Sequence, residues 1–224
     1  MRTIDAQQGI RILDTRSTAS LLSRVLWITT AGFLFTAFGA YIAPAVLGGI
    51  GYIALVIASF ALIFAVNIAS RRSPGLALVL FYVFTTVMGI EIGPLLKAYL
   101  HLNGGIGIVF DAAITTAVGM AVMALVAQIA NFNYQRVGAF AMAALLGLII
   151  VGVVSMFFHF LSPGVYAWAS LAIFSVLLLV DFMRLKNGAI GLSPVQMALS
   201  IYLDALNIFL ALLQIFGGGR RDNR

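Results

Sequence analysis

The chain has no cysteine, only two histidines, and few charges: 13 Lys and Arg and 7 Asp and Glu, 9% of its 224 residues. Each shortage excludes something. Without cysteine there is no disulfide framework, no thiolate metal site and no cysteine nucleophile. His101 and His159 stand singly at the ends of apolar runs, without metal-ligand spacing, and read as interfacial side chains. Soluble domains carry about a quarter charged residues, so a water-soluble core is excluded. Low-complexity stretches, convincing internal repeats and a soluble domain are also missing.

What is there instead is 62% hydrophobic residues at a mean hydropathy of +1.10. The apolar runs are continuous rather than alternating, which argues for spanning helices and against a closed barrel. A helix of about 20 residues crosses the ~30 Å hydrocarbon layer. Seven such runs fit, at 24–43, 48–69, 76–100, 106–130, 137–160, 163–186 and 194–216, leaving tails at 1–23 and 217–224. The breaks between them carry turn chemistry: Ala43-Pro44, Arg71-Arg72-Ser73-Pro74, Asn103-Gly104-Gly105 and Ser162-Pro163-Gly164. Loops this short predict that sequential helices are antiparallel neighbours. The fold class is therefore an all-α membrane protein, a bundle of about seven transmembrane helices.

Charge placement predicts the orientation. Arg2, Arg11 and Arg16, then Arg71 and Arg72, Arg136, and Arg184 with Lys186 fall on one side, with little beyond Lys97 on the other. By the positive-inside rule the N-terminus is cytoplasmic, and the net charge of +6 reports topology rather than a nucleic-acid partner. Seven crossings send Arg220, Arg221 and Arg224 to the opposite side, against the rule. Residues 1–23 lack an apolar stretch followed by a cleavage site, so the first span is expected to act as its own signal. Small residues four apart, at Gly89/Gly93, Ala113/Ala117/Ala121 and Ala139/Ala143/Gly147, predict close contacts inside the bundle.

Asp5, Asp14 and Asp222 lie in the tails, and Asp111 can reach the interface. Glu91, Asp181 and Asp204 remain at membrane depth, where a carboxylate costs about 2.5 kcal/mol or more and marks a functional site. Ser193-Pro194-Val195-Gln196 reads as a helix start with a capping box. Asp204 then lies ~15 Å in, near the bilayer midplane, with Ser200 and Asn207 on its face. Asp181 sits about 10 Å before the Asn187-Gly188 stop of the preceding helix. Antiparallel packing would bring the two carboxyls together, and a pair in a low-dielectric site cannot both ionise cheaply. Such a pair can sense protons or, deprotonated, offer hard oxygens to calcium. Three plainer readings stand beside these: a structural protonated acid at Asp204, an Asp181 paired with Arg184, and a Glu91 that bonds the carbonyls freed before Pro94. Arg71 or Arg72 could reach an aspartate as a latch, or serve only as topology markers.

The run Met197-Ala198-Leu199-Ser200-Ile201-Tyr202-Leu203-Asp204-Ala205-Leu206-Asn207, about 20 residues after Asp181, resembles the C-terminal signature of the transmembrane Bax inhibitor motif family. The Gly89-Ile90-Glu91-Ile92-Gly93-Pro94 stretch is similar to its third-helix motif, which usually has an uncharged residue where Glu91 stands. The resemblance spans the whole chain. It implies seven helices with the last one central, and a pH-sensitive calcium leak across a bacterial inner (plasma) membrane. It also implies Asp181 and Asp204 as the pH sensor and as transient calcium ligands, with Arg71 as a latch. Glu91, Ser200 and Asn207 are pathway candidates. YccA-like members of the family suggest an alternative: a non-transporting regulator that contacts a membrane-bound ATP-dependent protease through residues 1–23. Catalysis is not expected. Neither aspartate has the glycine-containing context of an aspartyl protease, and 194–216 lacks a lysine for a retinal Schiff base. No resident cofactor is expected, and the bilayer, calcium and protons are the expected partners.

Overall fold

Serine, proline and asparagine open four of the described helices, and a glycine precedes two others. In the computed structural model, which describes residues 2–46, 48–158 and 161–219 and side chains within 19–218, the described regular elements are all helices. They are α1 (Arg2–Ile42), α2 (Gly49–Ala69), α3 (Pro74–Leu100), α4 (Gly105–Ile129), α5 (Tyr134–Phe158), α6 (Pro163–Lys186) and α7 (Pro194–Gly219). Ser73 and Ser162 cap α3 and α6 ahead of a first-position proline, accepting the Leu76 and Val165 N–H groups at 3.4 Å each. The box expected at α7 is closed both ways: Ser193 N–H donates to Gln196 Oε1 at 3.0 Å, and Gln196 N–H to Ser193 Oγ at 3.2 Å. Between α6 and α7 the chain turns through positive φ at Gly188 (80°), Ala189 (46°) and Gly191 (80°), and glycine takes two of the three positions.

Each of the seven helices contains a window long and apolar enough to cross a membrane. Residues 2–23, expected as a tail, are helical and lead into α1, whose spanning part is Ala19–Ile42. His159, Arg220, Arg221, Asp222 and Arg224, and the side chains of Arg2, Asp5, Arg11, Asp14 and Arg16, lie outside the described residues. His101 and Asp111 are exposed.

Helix α7 is the centre, packed against α1, α2, α3, α4 and α6. Its spanning window is 56% buried, against 11% for α2. Tyr202 anchors it, fully buried, among Phe33, Phe81 and Phe84 with ring centroids 5.0, 5.8 and 5.9 Å away. Its hydroxyl lies 2.6 Å from Thr36 Oγ1, which is itself 3.0 Å from the carbonyls of Gly32 and Thr85. One hydroxyl contact thus joins α7 to α1 and α3.

Two packing expectations need correction. Sequential helices are not all neighbours: α1 does not pack on α2, nor α4 on α5. A short loop limits only how far helix ends can separate, and the axes diverge as α1 and α2 each pack on α3. Of the small-residue stripes, Gly89 and Gly93 do lie inside, but Ala113, Ala117, Ala121, Ala139, Ala143 and Gly147 are exposed. The buried line on α4 runs through Ile108, Ala112 and Thr116, one residue and so about 100° away from the alanines.

Candidate functional site

The membrane-depth carboxylates that the sequence singled out converge on one cavity. It has a volume of about 700 Å³ and lies between α2, α3, α5, α6 and α7. Glu91, Asp181 and Asp204 all line it, as do Ser200 and Asn207. Helix periodicity explains the last two. Ser200, Asp204, Asn207, Ala211 and Gln214 recur at three- and four-residue steps, so a mostly polar stripe rises ~21 Å along the cavity face of α7.

Asp181 and Asp204 are 2% and 6% exposed. The Asp181 Oδ1 accepts from Arg184 Nη1 at 2.9 Å, and Ser200 is turned to the same carboxyl. One oxygen of each aspartate, Asp181 Oδ2 and Asp204 Oδ2, is buried with no hydrogen-bond partner among the described residues. The two carboxyls interact electrostatically with each other, and Arg184 acts on both. A buried oxygen that gives up its water without gaining a donor is costly, and a buried charge more so. Among the described residues Arg184 is the one cation lining a cavity with three carboxylates.

The partner of Asp181 is therefore Arg184, not Arg71. Arg71 is exposed and makes no ion pair among the described residues, as does Arg72. The physical reason is local. Arg184 is three residues from Asp181 on one helix face, whereas Arg71 would have to reach inward from the α2–α3 connection. Nevertheless Arg71 sits at the same end of the bundle, because Gln196 Nε2 donates to Asn67 Oδ1 at 3.1 Å and ties the start of α7 to the last turn of α2.

Glu91 stands apart from the aspartates. It accepts a hydrogen bond from Ser59 Oγ of α2 and also lines a second cavity of about 530 Å³ that extends to Ala45 and Val46. Pro94 removes the helical donor for the Ile90 carbonyl beside it. Asn207 Nδ2 donates to Leu203 O at 2.8 Å. Sequence reasoning did not include Ser59, a lone serine in an otherwise apolar run with no visible partner. It also left Arg184 as an alternative rather than the first choice.

Two carboxylates, a serine hydroxyl and an asparagine oxygen are all hard oxygen donors, while among the described residues no group of three or more His, Cys, Asp or Glu is placed to hold a metal ion.

The fold and the cavity define a class: a multi-pass helical membrane protein with a buried acidic pair on its last two spans. The chain belongs to the family described as inhibitor of apoptosis-promoting Bax1, whose model matches residues 18–221. It is 31% identical over 169 residues to an uncharacterized protein of Helicobacter pylori strain J99, covering 74% of this chain and 70% of that one. It is 27% identical over 177 residues to an uncharacterized membrane protein of Streptococcus pyogenes serotype M1, with 74% of each covered. An uncharacterized protein of Borreliella burgdorferi is 26% identical over 224 residues, covering 90% of this chain and 93% of its own.

Proposed function

We propose that this protein is a pH-sensitive calcium leak channel, with Asp181 and Asp204 as a shared proton and cation station. The observation that carries the reading is the single cavity in which both buried carboxyls keep an unpartnered oxygen. An apolar bundle gains nothing in stability from such oxygens, whereas a passing cation or proton needs them. The Arg184 to Asp181 pair acts as the latch, the role the family resemblance gave to Arg71. When Asp181 takes a proton the pair loses its charge attraction and Arg184 is released. Glu91 forms a further station toward the 43–48 connection, held by Ser59. In this reading the protein lies in a bacterial inner membrane with its N-terminus cytoplasmic, as the charge distribution argues.

Calcium flux into liposomes holding the purified protein, measured from pH 6 to 8, tests it. The wild type should give a pH-dependent flux, and Asp204→Asn should flatten that dependence. Absence of flux at every pH would reject the channel and turn attention to the regulator of a membrane-bound protease.

A further inference from the structure

The cavity has a side entrance that ion passage does not require. Going round its wall, α6 packs on α7, α7 on α3 and α2, and α2 on α3, while α5 packs on α6 alone, so that no Cα of α2 lies within 8 Å of one of α5. Both nevertheless line it, through Val56, Phe60 and Ile63 on one side and Met142, Leu145 and Ile149 on the other. Phe60, Met142 and Ile149 are 60%, 48% and 48% exposed, and they lie in the middle of spanning helices. The slot between α2 and α5 thus opens onto lipid rather than water.

The residues of α2 and α5 at the slot are apolar, and the same cavity carries the buried Asp181 and Asp204 with their unpartnered oxygens, three carboxylates in all against Arg184. A ligand that fits both parts brings N–H donors and positive charge at one end and an apolar body at the other. A volume of about 700 Å³ is in the range of small-molecule sites, roughly 300–1,000 Å³. A fatty acid fails at the carboxylates by like-charge repulsion, and an alcohol brings one donor and no charge. We propose that the cavity binds a lipid-borne amine, a long-chain primary ammonium amphiphile that enters between α2 and α5 and donates to Asp181 and Asp204. The inference uses the same two carboxylates as the channel reading but does not depend on flux.

The test is binding of radiolabelled dodecylamine to the full chain in lipid nanodiscs, with empty nanodiscs as background. Saturable binding of one amine per chain is expected, undisturbed by a tenfold excess of dodecanol or dodecanoate and weakened at least tenfold in Asp181→Asn/Asp204→Asn. Leu145→Trp, which fills the slot and leaves both carboxylates in place, should weaken it as well and decides the matter should the double variant not fold. Binding no greater than to empty nanodiscs would overturn the proposal, as would equal displacement by dodecanol or an affinity unchanged in these variants. A chain that binds the amine but passes no calcium keeps this inference and sinks the channel; the opposite pair of results does the reverse.

Discussion

A Cβ at Gly89 would land on the Thr36 carbonyl and lie 2.9 Å from the Ala40 nitrogen, while one at Gly147 would meet nothing within 4 Å. The two glycines were equivalent as members of four-residue stripes, and only packing separates them. Gly89→Leu should destabilise the protein by about 1–3 kcal/mol or more by forcing α1 from α3, read as a lower denaturation midpoint in detergent. Gly147→Leu should stay within about 0.5 kcal/mol of wild type. Tyr202→Phe should cost about 1 kcal/mol by removing the hydroxyl at Thr36, with the aromatic packing kept. That contact was invisible in sequence because the partners are 166 positions apart. Asp181 and Asp204 were legible for the opposite reason. A carboxylate in an apolar run has no cheap place to be, so its presence alone points to a site.

Helix starts were also legible, since a cap is a local bargain between a side chain and the next turn. Ser193→Ala should lose about 1 kcal/mol, measured by denaturation in detergent. Helix ends held more than the sequence disclosed. Lys186 Nζ donates to the Gln128 and Ala130 carbonyls at 2.8 and 3.1 Å, closing the end of α4. Lys97 does the same for α1, through the Ala43 carbonyl. Both lysines read as topology charges, yet each satisfies orphan carbonyls and complements a helix dipole. Lys186→Met should speed amide hydrogen exchange in the last turn of α4 and leave that of α2 unchanged. The alanine stripes of α4 and α5 misled because small size permits close approach but does not say which face is inward. Ile108 and Thr116 on α4, and Leu148 on α5, mark the true inward faces.

At the scale of the molecule, the central place of α7 explains how so apolar a chain sustains an acidic cavity. The helix buries Tyr202 and Leu206 in the core and lines with its polar stripe the cavity it shares with α2, α3, α5 and α6. Span number followed from hydropathy alone. The neighbour relations did not, because loop length bounds the distance between ends and leaves the axes free. The ion pair was half legible: the three-residue spacing put Arg184 on the face of Asp181, and the structure chose it over Arg71. In the proposed function Asp181 and Asp204 work as one unit on calcium. Flux through liposomes at pH 6 and 8 for Asp181→Asn, Asp204→Asn and the double variant tests it most directly. If the carboxyls share one station, the double variant should lose no more flux than the worse single variant, a strong non-additivity. Two losses that simply multiply would mean independent sites and contradict the account.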